Sequence, residues 1–183
     1  MIEAPARPIA RIRFATLDTP IGEMLAVASD DALHLLEFTD TDRTQVQLTR
    51  LARRLGTTPS PGSNAAIEQT DAELRAYYAG DLRDFKVALA PAGTPFQQAV
   101  WKMLTGIAYG TTRSYGEQAR HIGQPTATRA VASANGDNPI AVIIPCHRVI
   151  GANGKLTGYG GGLWRKQYLL DHERGGALPL GGA

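Results

Sequence analysis

The chain has 183 residues, 43% of them hydrophobic and 20% charged, enough for one medium or two small buried cores. No apolar run is long enough to cross a bilayer, the first ten residues lack the apolar stretch of a secretory signal, and the single cysteine, Cys146, excludes an intramolecular disulfide and a multi-cysteine zinc site. The net charge of +2 is unevenly spread: residues 1–91 carry ten Lys/Arg against thirteen Asp/Glu (net −3), and residues 92–183 carry nine against four (net +5), a surplus that suits a polyanionic partner.

Alternating apolar residues predict a strand within 11–18 and a hairpin of strands at 24–28 and 33–38, turning at Ser29-Asp30-Asp31. Val46, Leu48, Leu51 and Leu55 predict a first helix. Ile67, Leu74, Tyr77 and Tyr78 predict a second, stopped by Gly80, and residues 57–62 between them predict a loop. In this half nothing carries obvious chemistry, and the Tyr77-Tyr78 pair reads as packing. Residues 90–93 read as a linker, so two domains are expected: 1–91, α+β with a small antiparallel sheet, and 92–183, mostly helical.

Thr94 and Pro95 open a helix with Phe96, Val100, Trp101, Met103, Leu104 and Ile107 on its apolar side. Ser114 and Glu117 form a capping box for a short helix ended by Gly123, and a second short helix spans about 126–135. That pair has the form of a helix-turn-helix. Its second helix is small-faced, with Ala127, Ala130 and Ala134 and one long cation, Arg129, which fits close approach to a groove, or else tight helix packing beside a solvated arginine. The run 140–144 predicts a buried strand broken by Pro145, with Cys146-His147-Arg148 directly after it. A Gly-rich loop spans 151–162. A last helix spans 163–173 with Leu163, Trp164, Tyr168, Leu169 and Leu170, and the tail 175–183 is expected to fray.

A thiolate, not a thiol, is the nucleophile, and a neighbouring histidine oriented by a carboxylate can generate it near neutral pH. His147 is adjacent in sequence. Adjacent strand residues point apart, so a bridging water is expected between it and Cys146. Glu173 or Asp171 could orient the imidazole.

The segment Ile144-Pro145-Cys146-His147-Arg148-Val149 resembles the active-site signature of the O6-alkylguanine-DNA alkyltransferases, the methylated-DNA–protein-cysteine methyltransferases. The surroundings match in order: Thr94-Pro95-Phe96-Gln97, Ser114-Tyr115, Arg129 with Ala130-Val131-Ala132, Asn138-Pro139, Gly158-Tyr159, Arg165-Lys166 and His172-Glu173. The likeness is close over 94–173. It is looser before that, resting on size and the Thr19-Pro20-Ile21-Gly22 turn.

The resemblance implies a ribonuclease-H-like supporting domain and a winged-helix-like DNA-binding domain. It implies irreversible transfer of the alkyl group of O6-alkylguanine, and of O4-alkylthymine, in duplex DNA to Cys146, by a monomeric, cytoplasmic, single-turnover enzyme that needs no cofactor. His147 would take the thiol proton through water, Glu173 would fix its tautomer, Tyr115 would donate to the departing guanine, and Asn138 would tether the recognition helix to the thiol segment. DNA would be bound through its minor groove by Arg129, which fills the gap of the flipped base, with Ala127, Ala130, Ser114 and Thr126 around it. Tyr159, Gly160, Val149 and Lys166 would form the alkyl pocket.

This chain departs from the family in two respects. Gly160 stands where some members carry Ser or a bulkier residue, which leaves only a backbone contact there. The zinc ligands of some members are lacking, with His34 alone in the first half, so no metal is expected. Two other readings share these residues. A Cys-His-Glu thiol hydrolase would leave the helix pair and the charge split without a purpose. A non-catalytic lesion sensor on this scaffold would have no need of Cys146.

Overall fold

A computed structural model describes residues 11–175. Strands β1 (Arg13–Leu17), β2 (Met24–Ala28) and β3 (Leu33–Phe38) pair antiparallel in sequence order. The expected purely antiparallel sheet is corrected by β4 (Ser60–Pro61), which adds parallel to β1 inside the segment read as a loop and makes a mixed sheet of order β3-β2-β1-β4. Pro61 has no N–H to offer and sits where none is needed, on the outer edge.

Every residue of β2 and β3 is buried because both faces of the sheet are covered. Leu25, Val27 and Leu35 pack toward Leu51 of α1 (Asp42–Leu55). Met24, Ala26, Leu36 and Phe38 join a larger core with α2 (Ala65–Ala79) and side chains of the second half of the chain, among them Trp101, Val131 and Ile140. Each such buried Leu, Val or Phe contributes about 1.5–3 kcal/mol over its exposed state. The apolar face of α1 is turned from its expected position: Val46 is exposed and Gln47 is buried, because the Gln47 amide reaches the carbonyl of Asp137 at 3.1 Å. Gly80 ends α2 at φ 85°, a conformation a side chain would strain.

Helix α3 (Pro95–Thr105) starts at the Thr94–Gln97 capping box. Strand β5 (Arg113–Ser114) leads into α4 (Tyr115–His121), whose N-terminus is the expected Ser114–Glu117 box. After six intervening residues α5 (Thr128–Gly136) begins. It is fixed to α4 by a double amide bond between Gln118 and Asn135 (3.1 and 2.8 Å) and to α3 by the Trp101 indole N–H on the carbonyl of Ala134 (2.8 Å). Ala134 therefore faces the core and cannot line a groove, whereas Arg129 and Ala130 are exposed.

The run 140–144 is buried as expected but is a turn, not a strand. Ile140 makes a single bridge to Leu36, after which Ile144 N–H closes onto Ile140 and Val142 takes φ 69°. A β-branched residue in that region costs about 1–3 kcal/mol and persists only where its surroundings hold it. The Asn138 side chain does so, accepting from Ile140 N–H (3.0 Å) and donating to the carbonyls of Ile140 and Ile144 (3.3 and 2.8 Å). One 3-10 turn, Cys146–Arg148, follows, then β6 (Val149–Ile150), parallel to β5.

Helix α6 (Leu163–Glu173) has its expected bounds but a different buried face. Leu163 and Trp164 are 49% and 57% exposed, while Arg165 and Lys166 are buried with their charged heads on backbone carbonyls. The expectations for 1–10 and 176–183 lie outside the described residues. Among the described residues no helix is long and apolar enough to cross a membrane.

Candidate active site

Cys146 is partly exposed at a cavity of about 530 Å³. Tyr115 from the start of α4, Arg129 and Asn135 from α5, and Thr157 to Gly160 of the following loop also line it, as does Arg43 from α1. Asn138 Nδ2 lies 3.2 Å from Cys146 Sγ. Of the residues singled out in the sequence, Cys146, Tyr115, Arg129, Tyr159 and Gly160 meet at this cavity.

His147, Glu173, Asn138 and Lys166 stand behind it, all buried. Val149 is buried too, and what it contributes is its carbonyl, which accepts from Lys166 Nζ at 2.6 Å. Thr126 is exposed and Ala127 half-buried on the approach to α5. The Ser114 hydroxyl is engaged in its cap, accepting from Glu117 N–H and donating to the Glu117 carboxylate.

His147 Nε2 meets Glu173 Oε1 at 2.7 Å with both side chains fully buried, which decides for Glu173 over Asp171 as the imidazole's partner. The other ring nitrogen, Nδ1, is buried without a partner among the described residues. Burial pulls the His147 imidazole below its usual range, against the pull of Glu173, so it rests neutral. Burial alone would raise the Glu173 carboxyl. The hydrogen bonds from His147 and Arg148, with the Arg148 charge, outweigh it and hold Glu173 well below the usual carboxylate range. Arg148 donates to both carboxylate oxygens, at 2.8 Å (Nε to Oε2) and 2.9 Å (Nη2 to Oε1), and anchors itself on the Ile107 carbonyl.

Burial pushes the Cys146 thiol up, only partly offset by the Asn138 hydrogen bond, so the resting group is a thiol that needs a base. Burial also lowers the Lys166 ammonium to about 8. Its Nζ donates to Val149, Thr157 and Gly158 carbonyls at 2.6, 2.7 and 3.3 Å and so ties the cavity loop to β6. The Tyr115 hydroxyl donates to the Thr157 carbonyl at 3.1 Å from the opposite wall.

The first half of the chain supplies more to the site than its sequence suggested. Three successive carbonyls leading out of α5 are gripped by it: Asp137 by Gln47, Asn138 weakly by Arg43 (3.5 Å), and Pro139 by the Leu36 N–H (2.9 Å). Arg50 also pairs with the Asp137 carboxylate at 3.0 Å. Gly160 lies close under the Arg43 guanidinium, so a side chain there would require that arginine to move. Among the described residues no group of three or more His, Cys, Asp and Glu side chains is placed to hold a metal ion. The His34 ring is occupied by the Ala90 carbonyl and the Ser29 hydroxyl.

A partly exposed thiol in front of a buried His–carboxylate pair, opening beside a pair of short helices with an exposed arginine, is the layout of a protein that works through its cysteine next to an open helical surface. Residues 95–175 match the family described as 6-O-methylguanine DNA methyltransferase, DNA binding domain. Methylated-DNA–protein-cysteine methyltransferases of Mycobacterium tuberculosis and Methanosarcina acetivorans are 49% and 44% identical to the chain, over 89% and 87% of it and 93% and 97% of their own lengths. The crystal structure of M. tuberculosis OGT in complex with DNA superposes with a TM-score of 0.76 at 47% identity, covering 89% of this chain and 93% of that one. The chain belongs to the methylated-DNA–protein-cysteine methyltransferase family.

Proposed function

We propose that the protein repairs DNA by moving the alkyl group of O6-alkylguanine, and of O4-alkylthymine, onto its own Cys146, once per molecule. The observation that carries this reading is the partly exposed thiol at the cavity wall with a buried His147–Glu173 pair behind it. His147 takes the thiol proton on Nδ1 through a water, the one ring nitrogen that Glu173 leaves free. The thiolate sulfur attacks the alkyl carbon in line, forming S–C as C–O breaks, and the bonding pair leaves with the base. Tyr115 turns its hydroxyl from Thr157 to donate to the departing guanine, and backbone N–H groups of 158–160 face the guanine oxygen. A thioether has no hydrolytic exit, so the protein is consumed.

The target base must leave the duplex, at a cost of a few kcal/mol. The exposed Arg129 and Ala130 of α5 suit entry into a minor groove roughly 6 Å wide, with Arg129 filling the gap of the flipped base and Thr126 and Ser114 near the backbone. Lys and Arg of the second half supply sequence-tolerant phosphate contacts. Every group invoked comes from one chain, so a monomer suffices. Residues 1–91 act as the supporting domain and 92–183 as the DNA-binding and transfer domain.

Intact-mass analysis after mixing with excess duplex carrying one O6-methylguanine tests this. The expected result is a gain of one methyl per chain, mapped to Cys146 and absent in Cys146→Ser. No gain from folded, reduced protein overturns the reading; retained lesion binding would then favour a sensor, and turnover of acyl substrates a thiol hydrolase.

A further inference from the structure

We propose that Tyr77, from the first half of the chain, is a positioning residue for the transfer. Its hydroxyl holds the same Glu173 oxygen that holds His147, and so limits how far that carboxylate favours a protonated imidazole. The inference rests on the assignment of Cys146, His147 and Glu173 as nucleophile, base and orienter.

Glu173 Oε1 is the meeting point of three donors: His147 Nε2 at 2.7 Å, the Tyr77 hydroxyl at 2.8 Å and Arg148 Nη2 at 2.9 Å. Oε2 takes Arg148 Nε at 2.8 Å and the Gly110 N–H at 3.1 Å. A carboxylate offers about four lone-pair sites, so five donors saturate it. Each donor draws negative charge away from the bond to His147. With fewer donors Oε1 would be a stronger partner for imidazolium, and His147 would hold its proton to higher pH. A base that is already protonated cannot accept the thiol's proton.

Tyr77 is built to hold this position rather than to fill space. Its ring is fully buried among Tyr78, Phe85, Tyr109 and His172, with centroids 5.0–6.1 Å away, and its carbonyl accepts from His172 Nε2 at 2.7 Å. Phenylalanine would fill the same volume. A hydroxyl buried there is costly unless paired, and Glu173 is its one hydrogen-bond partner among the described residues. Burial first, then the Glu173 charge, keep it a neutral donor.

The other charged or titratable groups facing the pair are Arg148 and Lys166, both of which oppose protonation of His147. Tyr109, over the Arg148 guanidinium, His172 beside Tyr77, and the Cys146 thiol complete the surroundings. None of these besides Arg148 donates a side-chain hydrogen bond to Glu173.

The test is the pH profile of single-turnover methyl transfer at saturating O6-methylguanine duplex, for wild type, Tyr77→Phe and Tyr78→Phe. In Tyr77→Phe the acidic limb should move to higher pH by about half to one unit, with a few-fold slower transfer at pH 6. Tyr78→Phe, whose hydroxyl makes no bond to Glu173, should leave the limb in place. An unmoved limb in a folded Tyr77→Phe overturns the proposal. So does an equal shift in both variants, which marks a packing effect. Wild type that takes up no methyl overturns the underlying assignment instead. If Tyr77→Phe does not fold, 3,5-difluorotyrosine at position 77 preserves the packing and strengthens the donor. The limb must then move to lower pH, and no movement overturns the proposal.

Discussion

Asn138 Nδ2 stands 3.2 Å from Cys146 Sγ and 2.8 Å from the Ile144 carbonyl, so one buried amide fixes both the thiol and the turn that presents it. Asn138→Ala would leave the Ile140 N–H buried and unpaired, at roughly 1–3 kcal/mol, and would leave the Ile144 carbonyl with the Cys146 N–H alone. We expect a fall in stability of about 2 kcal/mol in urea melts and at least a tenfold slower transfer. Alkylation attacks the same contact from the other side, since a group on Sγ must crowd the Asn138 amide. The alkylated protein should melt at a lower temperature than the free thiol; an unchanged or higher melting temperature would show that the pocket accommodates the group without strain.

Arg148 is a structural cation before it is anything else. Its two bonds to Glu173 and one to Ile107 are buried, and removing one partner of such a pair typically costs about 3–5 kcal/mol. Arg148→Met should lose a comparable amount in denaturant titration. Arg148→Lys should recover little of it, because an ammonium cannot repeat the fork across both carboxylate oxygens.

Lys166 makes its prediction through the loop. Its ammonium is the common anchor of Val149, Thr157 and Gly158. Lys166→Met keeps the stem and removes the donors, so amide hydrogen exchange should rise at 157–160 while α5 keeps its protection. Transfer should slow with little change in DNA affinity, since the side chain is fully buried. Protection unchanged at 157–160 would mean that Tyr115 alone holds the loop.

Elements whose ends are set by neighbours in sequence were legible. The Thr94 cap, the Ser114–Glu117 capping box, the glycine after α2 and the bounds of α6 follow from local chemistry and appear where expected. The run 140–144 was not legible as a turn, because β-branched apolar residues report burial, whereas the geometry is dictated by a single asparagine outside the run. The same confusion of polarity with exposure hid the buried face of α6, where Arg165 and Lys166 go inward because backbone carbonyls await their heads. Cys146, His147 and Glu173 were readable from their motif. Tyr77 and Arg43 were not, since each reaches the site from an element about 95 residues away in sequence and no local pattern links them.

The site should also make the protein acid-sensitive in two steps. The folded state holds His147 neutral, below its usual range. As pH falls through about 6.5, the unfolded chain takes up a proton that the folded one refuses, and stability drops. Glu173, held ionised in the fold, adds a second loss as the unfolded carboxyl protonates near about pH 4.3. Glu37, raised by its burial, works in the opposite sense and softens that second step. On the alkaline side the desolvated Cys146 thiol resists ionisation while an unfolded thiol ionises above about pH 8.5, so its contribution to stability falls. Lys166, lowered by burial to about 8, works in the opposite sense over the same range and offsets that loss. Urea midpoints measured from pH 4 to 10 should therefore rise with pH through about 6.5 and then change little. His147→Gln should flatten the first acid step. A wild-type midpoint that stays level down to pH 5 would mean that His147 is protonated in the fold, and the neutral base assigned to the transfer would have to be sought elsewhere.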